Sequence, residues 1–197
     1  MDERQEVFAA CKKMYNQKLV AGTSGNISMR KRGAKGDTFF IKPSGKSYED
    51  MLCEDIVEID GEGNPIAKGQ VPSSEWRMHI EIYKRYPEVN AVLHTHSPFA
   101  TGFGVNRQEI PLILIEMKPF LGGSVRVAPF AAAGSVELAQ SILPYLEDRT
   151  ACLLANHGVV AVGSTMEKAY TAAEYVEDAA KIYYYAKTSG TPVVIEG

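Results

Sequence analysis

Cysteine is scarce in this sequence, with three residues among 197 and no C-x-x-C pair. An odd number of scattered cysteines argues against a disulfide framework or a cysteine zinc site, and it fits a reducing compartment. Long apolar runs are lacking too, since none approaches the roughly 20 residues that a membrane span needs. The first residues are charged and contain no apolar signal core. The sequence therefore predicts a cytoplasmic protein that makes no use of a membrane.

The chain also lacks an excess of charge, internal repeats and any segment with the composition of a linker. Its formal net charge is −3 and its pI is about 5.8, whereas a general nucleic-acid binder is usually basic. Neither a P-loop nor a G-x-G-x-x-G after a strand is found, and no G-x-S-x-G elbow supports a serine hydrolase. With 45% apolar residues, the composition predicts one globular domain over residues 1–197 without nucleic acid as a partner.

Strands and helices are interleaved irregularly along the chain. Apolar spacing and capping signals predict helices at 4–19, from 73 to before Pro87, at 135–147, and from a Ser164-x-x-Glu167 capping box to about 187. Strands are predicted at 27–29, 38–42, 56–59, 91–96, 110–117 and 124–130, and within 152–162 around a turn. Because strict βα alternation is missing, the order favours a mixed, mainly antiparallel sheet with helices on its faces.

Three of the four histidines stand in unusual sequence contexts. His94 and His96 are two residues apart on a predicted strand, so both imidazoles project from one face. His157 lies in an Asn-His-Gly turn, where its side chain can point outward. Two strand histidines and one distant histidine can hold a zinc ion and leave a fourth position open, as catalytic zinc requires. The alternative is that all three are ordinary hydrogen-bonded histidines.

The fourth histidine, His79, follows Glu75 by four residues on a predicted helix. The segment does not match H-E-x-x-H, so a metalloprotease is not supported. A packing or hydrogen-bonding role for His79 is favoured over metal ligation. Ser73 and Ser74 precede Glu75 at the helix start, where free amides and hydroxyls suit either a phosphate group or a common N-cap. The small loops at 22–26 and 42–45 are likewise either anion-binding loops or simple turns.

Five short segments together resemble the class II aldolase/adducin family in order and spacing, across nearly the whole chain. They are GTSGNIS at 22–28, PSG at 43–45, PSSEWRMH at 72–79, HTH at 94–96 and NHG at 156–158. The similarity is greatest to the branch of the family that cleaves L-fuculose 1-phosphate. The resemblance implies a three-layer α/β/α domain, which assembles into a homotetramer with active sites between adjacent subunits.

Site residues follow from the resemblance at matching positions. It implies that His94, His96 and His157 bind one Zn²⁺ per subunit and that Glu75 is the catalytic acid/base. The phosphate group of a sugar phosphate is then expected to contact five positions, namely Asn26, Ser44, Gly45, Ser73 and Ser74. The implied reaction is the reversible cleavage of a 1-phosphoketose to dihydroxyacetone phosphate and an aldehyde. The candidate substrates are L-fuculose 1-phosphate and related deoxy- or methylthioketose 1-phosphates.

This chemistry has a physical rationale. Breaking a carbon–carbon bond beside a ketone leaves an electron pair, which a Lewis-acidic zinc ion with an open coordination position can stabilise. Glu75 would move a proton to or from the carbon that bears the hydroxyl. A remote phosphate clamp would supply binding energy that holds the reacting carbon in place.

One position departs from the fuculose-phosphate pattern. Those enzymes use a tyrosine from a neighbouring subunit to protonate the aldehyde oxygen, whereas residues 113–118 here contain Glu116 and no tyrosine. Glu116 is therefore a candidate acid, and a salt bridge to a basic neighbour is the alternative.

Other activities of the same family, sugar-phosphate 4-epimerase and methylthioribulose-1-phosphate dehydratase, remain alternatives to the aldolase. A non-catalytic module of the adducin type is disfavoured, because the three histidines and Glu75 are intact.

Overall fold

The computed structural model describes residues 1–34 and 36–196. Its seven strands form one sheet in the order β3-β2-β1-β4-β7-β6-β5. Every neighbouring pair is antiparallel except β5 and β6, which are parallel. The strands are β1 Asn26–Lys31, β2 Thr38–Ile41, β3 Val57–Ile59, β4 Ala91–Thr95, β5 Val127–Ala128, β6 Ala151–Leu154 and β7 Gly158–Gly163. The predicted mixed, mainly antiparallel sheet is confirmed.

Helices cover both faces of the sheet. On one face α1, α3, α4 and α7 pack together, and on the other face α2 packs with α5 and α6. The helices are α1 Glu3–Asn16, α2 Trp76–Arg85, α3 Pro98–Val105, α4 Met117–Leu121, α5 Val136–Ser141, α6 Leu143–Leu146 and α7 Met166–Ser189. This confirms the three-layer α/β/α architecture. The predicted single domain stays a prediction, and two of its residues, Lys35 and Gly197, lie outside the described residues.

The alternation of side chains along the central strands divides the core into two layers. In β4, Leu93 packs into the α7 layer, whereas its neighbour Val92 packs into the α2 layer. In β7, Val159 and Val160 divide in the same way. Successive strand residues point to opposite faces, so apolar residues at every position indicate a sheet covered on both sides. By the same alternation, His94 lies on the α2 face.

The strands predicted at 110–117 and 124–130 are largely wrong. Only Val127–Ala128 forms a strand in this region, and Ile110 pairs with Val125 in an isolated antiparallel bridge. Pro111 has no N–H to donate to a strand ladder, and Pro129 follows β5 directly. The apolar residues 112–114 instead pack half-buried against the α7 layer without strand pairing.

Two helix predictions also need correction. The helix predicted at 135–147 is divided into α5 and α6, because Pro144 enters the first turn of α6. The final helix begins with Thr165 as its N-cap, whose hydroxyl accepts from the Lys168 amide, instead of the expected Ser164 capping box. The capping interaction therefore starts one residue later than predicted.

Within the described residues, no helix is both long and apolar enough to span a membrane.

Candidate active site

The three histidines singled out by the sequence lie together at one end of the sheet. His94 is the penultimate residue of β4, and His96 follows the strand directly. His157 lies in the β6–β7 turn beside Asn156, whose φ of 54° is left-handed. Gly158 is required here, since a Cβ would clash with the Thr95 carbonyl oxygen and would lie about 3 Å from the rings of His94 and His96. The glycine allows β7 to bring the turn against the end of β4.

The ligand atoms of His94, His96 and His157 all lie within 4.8 Å of one another. The Nε2 atoms of His94 and His96 are 3.0 Å apart, and the three rings meet edge to face with centroids 4.7–5.1 Å apart. His94 is fully buried, and the other two are partly buried. The three histidines therefore converge as the sequence predicted, and their role as metal ligands stays a prediction.

A hydrogen bond fixes the orientation of the His94 ring. Its Nδ1–H donates to the Val159 carbonyl at 2.9 Å, which directs Nε2 toward the cluster. Burial lowers the pKa of His96 to about 4 and also lowers that of His157, so these imidazoles are neutral at pH 7. Imidazole nitrogens of His94 and His96 face each other at 3.0 Å, with the Glu75 carboxylate beside them. This donor set fits a divalent metal ion, and three imidazoles with an open position are typical of catalytic zinc.

Glu75 lies against the histidine cluster at the N-cap of α2. Its Oε2 is 3.2 Å from His94 Nε2, and its Oε1 is 3.3 Å from His157 Nε2. Burial disfavours the charged carboxylate, but the adjacent imidazoles of His94 and His157 and the amide of Asn26 outweigh burial. The pKa of Glu75 is consequently well below its ordinary value. Oε1 is buried and, among the described residues, accepts no hydrogen bond, so a lone pair is available beside the cluster.

Asn26 and His79 connect Glu75 to the interior of the molecule. The Asn26 Nδ2 donates to Glu75 Oε2 at 2.9 Å, and its Oδ1 is hydrogen-bonded to His79 Nε2. His79 is hydrogen-bonded and buried outside the metal-ligand cluster, which confirms the role favoured from the sequence. Both ends of the Asn26 amide are engaged in this way. Its expected contact with a phosphate group stays a prediction.

The candidate phosphate loops meet next to Glu75. Pro43 and Pro72 form an isolated antiparallel bridge, and the Ser44 amide donates to the Val71 carbonyl at 3.0 Å. Buried Lys42 extends its Nζ to the Thr23 carbonyl at 3.2 Å, so the loop at 22–26 joins the other two. Gly45 has a φ of 66°, which favours glycine in this turn.

The serines of these loops differ in exposure. Ser44 and Ser74 are exposed together with Gly45, whereas Ser73 is buried and its Oγ accepts from the Glu75 amide at 3.3 Å. Helix α2 begins only at Trp76, so the serines precede it and do not form its first turn as the sequence suggested. The exposed positions leave donors accessible beside Glu75.

Glu116 occupies a different part of the chain. It is the half-buried N-cap of α4, which packs against α7 on the face of the sheet opposite α2. Within residues 1–34 and 36–196, no contact joins it to the histidines or to Glu75, and no Lys or Arg forms an ion pair with it. The salt-bridge alternative is therefore not found in a single chain. The proposed acid role of Glu116 stays a prediction.

Comparison with known proteins places this geometry in context. The sequence model described as "Class II Aldolase and Adducin N-terminal domain" matches residues 5–184. The chain is 38% identical to 5-deoxy-D-ribulose 1-phosphate aldolase of Bacillus thuringiensis serovar kurstaki over 193 residues, covering 98% of this chain and 89% of that protein.

Two further comparisons agree with these. A Rhodospirillum rubrum protein named 5-methylthioribulose-1-phosphate/5-deoxyribulose-1-phosphate aldolase is 36% identical, with coverage of 98% of this chain and 85% of that protein. Among solved structures, one named L-fuculose 1-phosphate aldolase superposes with a TM-score of 0.92 at 37% identity, covering 99% of this chain and 91% of that one. The likeness extends over the fold and over nearly the whole chain.

Proposed function

The chain belongs to the class II aldolase and adducin family, and on this premise we propose that it cleaves a 1-phosphoketose reversibly to dihydroxyacetone phosphate and an aldehyde. The family membership confirms the resemblance found in the sequence and the expected enzyme class. The observation that carries the proposal is the convergence of three imidazoles within 4.8 Å with Glu75 against two of them. This arrangement joins a metal site to a proton-transfer group.

We infer that His94, His96 and His157 hold one Zn²⁺ per chain. A bound zinc ion would supply Lewis acidity toward the oxygen atoms of the substrate. The chain itself prepares the site, since the Val159 carbonyl orients the His94 ring and burial keeps the imidazoles of His96 and His157 neutral by lowering their pKa values. Neutral imidazole is the form that binds metal ions.

Glu75 is the proposed acid/base. Its Oε2 is held by Asn26, whereas Oε1 is free to take a proton from the hydroxyl-bearing carbon or to return one. Proton transfer by a positioned side chain typically accelerates a reaction by about 10²–10⁴-fold. The carboxylate is ionised at pH 7, which is the form that accepts a proton.

The loops beside Glu75 form the proposed phosphate site, with contacts from Asn26, Ser44, Gly45, Ser73 and Ser74. Exposed Ser44 and Ser74 offer hydroxyl donors within the same loop cluster. Lys42 is buried beneath these loops without a carboxylate partner among the described residues. Its positive charge favours an anion there.

For the aldehyde half of the substrate, we propose a ketose whose terminal carbon bears no hydroxyl. The named substrates of the relatives support this, because 5-deoxyribulose, 5-methylthioribulose and L-fuculose phosphates all end in a methyl or methylthio group. Substrates with a terminal hydroxyl are expected to react more slowly. No observation favours the epimerase or dehydratase alternative.

We further propose a homotetramer in which Glu116 contributes to the site of a neighbouring subunit. Within one chain α4 and α2 lie on opposite faces of the sheet, so Glu116 needs a second subunit to approach a Glu75 carboxylate. Exposed Ile115 beside it, at 75% relative exposure, is available for burial in such an interface. Glu116 would then take the proton from the hydroxyl that becomes the aldehyde oxygen during cleavage, and it would return that proton in the reverse direction.

A substrate panel tests the proposed function. Release of dihydroxyacetone phosphate is measured from 5-deoxyribulose 1-phosphate, L-fuculose 1-phosphate and ribulose 1-phosphate, with and without a strong chelator. We expect release that the chelator abolishes and that added Zn²⁺ restores, with the deoxy substrates ahead of ribulose 1-phosphate. Absence of release from zinc-loaded protein on all three substrates would contradict the aldolase proposal.

A further inference from the structure

A line of buried polar side chains runs between α2 and β1, away from the histidine cluster. Its members come from two elements in alternation and are each no more than 6% exposed. We call it the polar ladder, and it consists of Glu75, Asn26, His79, Ser28 and Tyr83. Within residues 1–34 and 36–196, Ser28 and Tyr83 form no hydrogen bond with the histidine cluster or the phosphate loops, and His79 reaches them only through Asn26.

The spacing of the two elements explains the ladder. Glu75, His79 and Tyr83 recur every four residues, so they line one face of α2 at a rise of about 6 Å per step. Asn26 and Ser28 are two residues apart on one face of β1, at about 6.8 Å. Because the two steps nearly match, each strand residue fits between two helix residues.

The hydrogen bonds of the ladder form an unbroken series. Ser28 Oγ lies 2.7 Å from Tyr83 Oη and 2.7 Å from His79 Nδ1. His79 Nε2 bonds to Asn26 Oδ1, and Asn26 Nδ2 donates to Glu75 Oε2. Each bond lies in the protein interior, where an unpaired polar group would be costly.

The carboxylate at one end sets the direction of every proton. Asn26 donates through Nδ2 to Glu75 Oε2, which leaves its Oδ1 as the acceptor for His79. His79 then carries its proton on Nε2, and its Nδ1 accepts from the Ser28 hydroxyl. Ser28 in turn accepts from the Tyr83 hydroxyl. Burial without a touching carboxylate keeps His79 neutral, as this direction requires.

We propose that the polar ladder positions the Glu75 carboxylate by holding Oε2, which leaves Oε1 as the oxygen that transfers the proton. The bond from Asn26 engages one oxygen, and the other is left buried without a hydrogen bond among the described residues. His79, Ser28 and Tyr83 are positioning residues, since they act on Glu75 only through Asn26. This role rests on the proposed function for its catalytic consequence, but the direction of the protons does not.

The first experiment determines the proton positions along the polar ladder and needs no activity assay. Long-range ¹H–¹⁵N spectra of the full-length metal-free protein at pH 7 report the tautomer of each histidine. We expect His79 to be neutral with its proton on Nε2, and Ser28→Ala to shift its Nδ1 resonance. A proton on Nδ1 of His79 would reverse the donor and acceptor roles along the polar ladder. That result would overturn the proposal, whether or not the protein is an aldolase.

The second experiment separates positioning from simple packing in the zinc-loaded enzyme. His79→Leu leaves Asn26 Oδ1 without its hydrogen-bond donor. We expect kcat to fall about 10–100-fold, the range typical when a residue that orients a site residue is lost, with KM within about twofold. His79→Gln keeps an N–H donor near Asn26 and should recover part of that loss. Tyr83→Phe, a milder change that removes one hydroxyl, should lower kcat a few-fold.

Tyr86→Phe is the matched control for Tyr83→Phe. It removes a hydroxyl from the same helix, but that hydroxyl bonds to the Leu143 carbonyl outside the ladder. Its kcat should equal that of the unmodified enzyme. Equal kcat values for Tyr83→Phe, Tyr86→Phe and the unmodified enzyme would contradict positioning by the ladder, and so would full kcat in a folded His79→Leu variant.

Discussion

Two regions supply residues to the proposed active site, and their construction differs. The Glu75–histidine half is formed by regular elements, β1, β4, β7 and α2, and its side chains are buried and bonded to one another. The half around Glu116 lies in residues 110–130, where only an isolated bridge and a two-residue strand are formed. Within residues 1–34 and 36–196, the three histidines and Glu75 lie together, whereas no hydrogen bond or ion pair joins Glu116 to any of them. Under the proposed function, one chain supplies the metal ligands and the acid/base, whereas the aldehyde end of the site depends on a neighbouring subunit.

The largest expected effect comes from removing a metal ligand of the regular half. His157→Asn leaves the turn intact, because the His157 ring is partly exposed and the left-handed residue of the turn, Asn156, is unchanged. Zinc affinity should fall by more than about 100-fold, since even outer-shell changes cost about 10–100-fold. Equilibrium dialysis with metal analysis measures the change. Lys118→Ala in the irregular half is the control, and a similar loss there would contradict the division into two regions.

The next largest effect is expected from Glu75→Gln. The amide keeps the size of the side chain but cannot take up a proton, so kcat should fall by about 10²–10⁴-fold. Zinc content should be unchanged, because the three imidazoles remain. Steady-state kinetics beside metal analysis distinguishes these two results. A variant that loses its zinc together with its activity would show that Glu75 is chiefly a metal ligand.

Subunit mixing tests whether the Glu116 half acts across an interface. Glu75→Gln and Glu116→Gln are each expected to be nearly inactive as pure proteins. When they are dissociated together and reassembled, about a quarter of the sites in a closed ring would combine both native glutamates. Assaying dihydroxyacetone phosphate release before and after mixing checks this. Mixed protein without any regained activity would show that Glu116 does not complete a neighbour's site.

The smallest effect concerns the acid stability of the regular half. Burial lowers the pKa of His79 from 6.5 to about 3, so between these values the unfolded chain binds a proton that the folded chain does not. The free energy of unfolding should therefore fall with decreasing pH, by up to about 1.4 kcal/mol per pH unit from this group.

Urea unfolding of metal-free protein between pH 7 and pH 4 measures this slope. In His79→Gln the contribution of this group is absent, so the slope should be shallower than in the unmodified protein. Identical slopes would mean that His79 titrates alike in the folded and unfolded states. That outcome would also contradict its burial as a neutral imidazole.

Sequence interpretation succeeded in the Glu75–histidine half and failed in residues 110–130. The pattern His94-x-His96 predicted a shared face because strand alternation is strict, and the adjacent valines and leucines marked both sheet faces as buried. The same reasoning failed at 110–117, since an apolar run indicates burial but not the element that provides it. Pro111 was the available signal against a strand. The bonding of Asn26 between Glu75 and His79 was not predicted, because it requires the register of α2 against β1, which no local pattern contains.

Titration of metal-free protein with Zn²⁺, with dihydroxyacetone phosphate release from 5-deoxyribulose 1-phosphate recorded at each step, tests the central claim most directly. The account predicts that the rate rises linearly and stops rising at one ion per chain, and that His157→Asn shows no such break. A chelated, metal-free protein that retains its full rate would contradict the assignment of the three histidines to a catalytic metal.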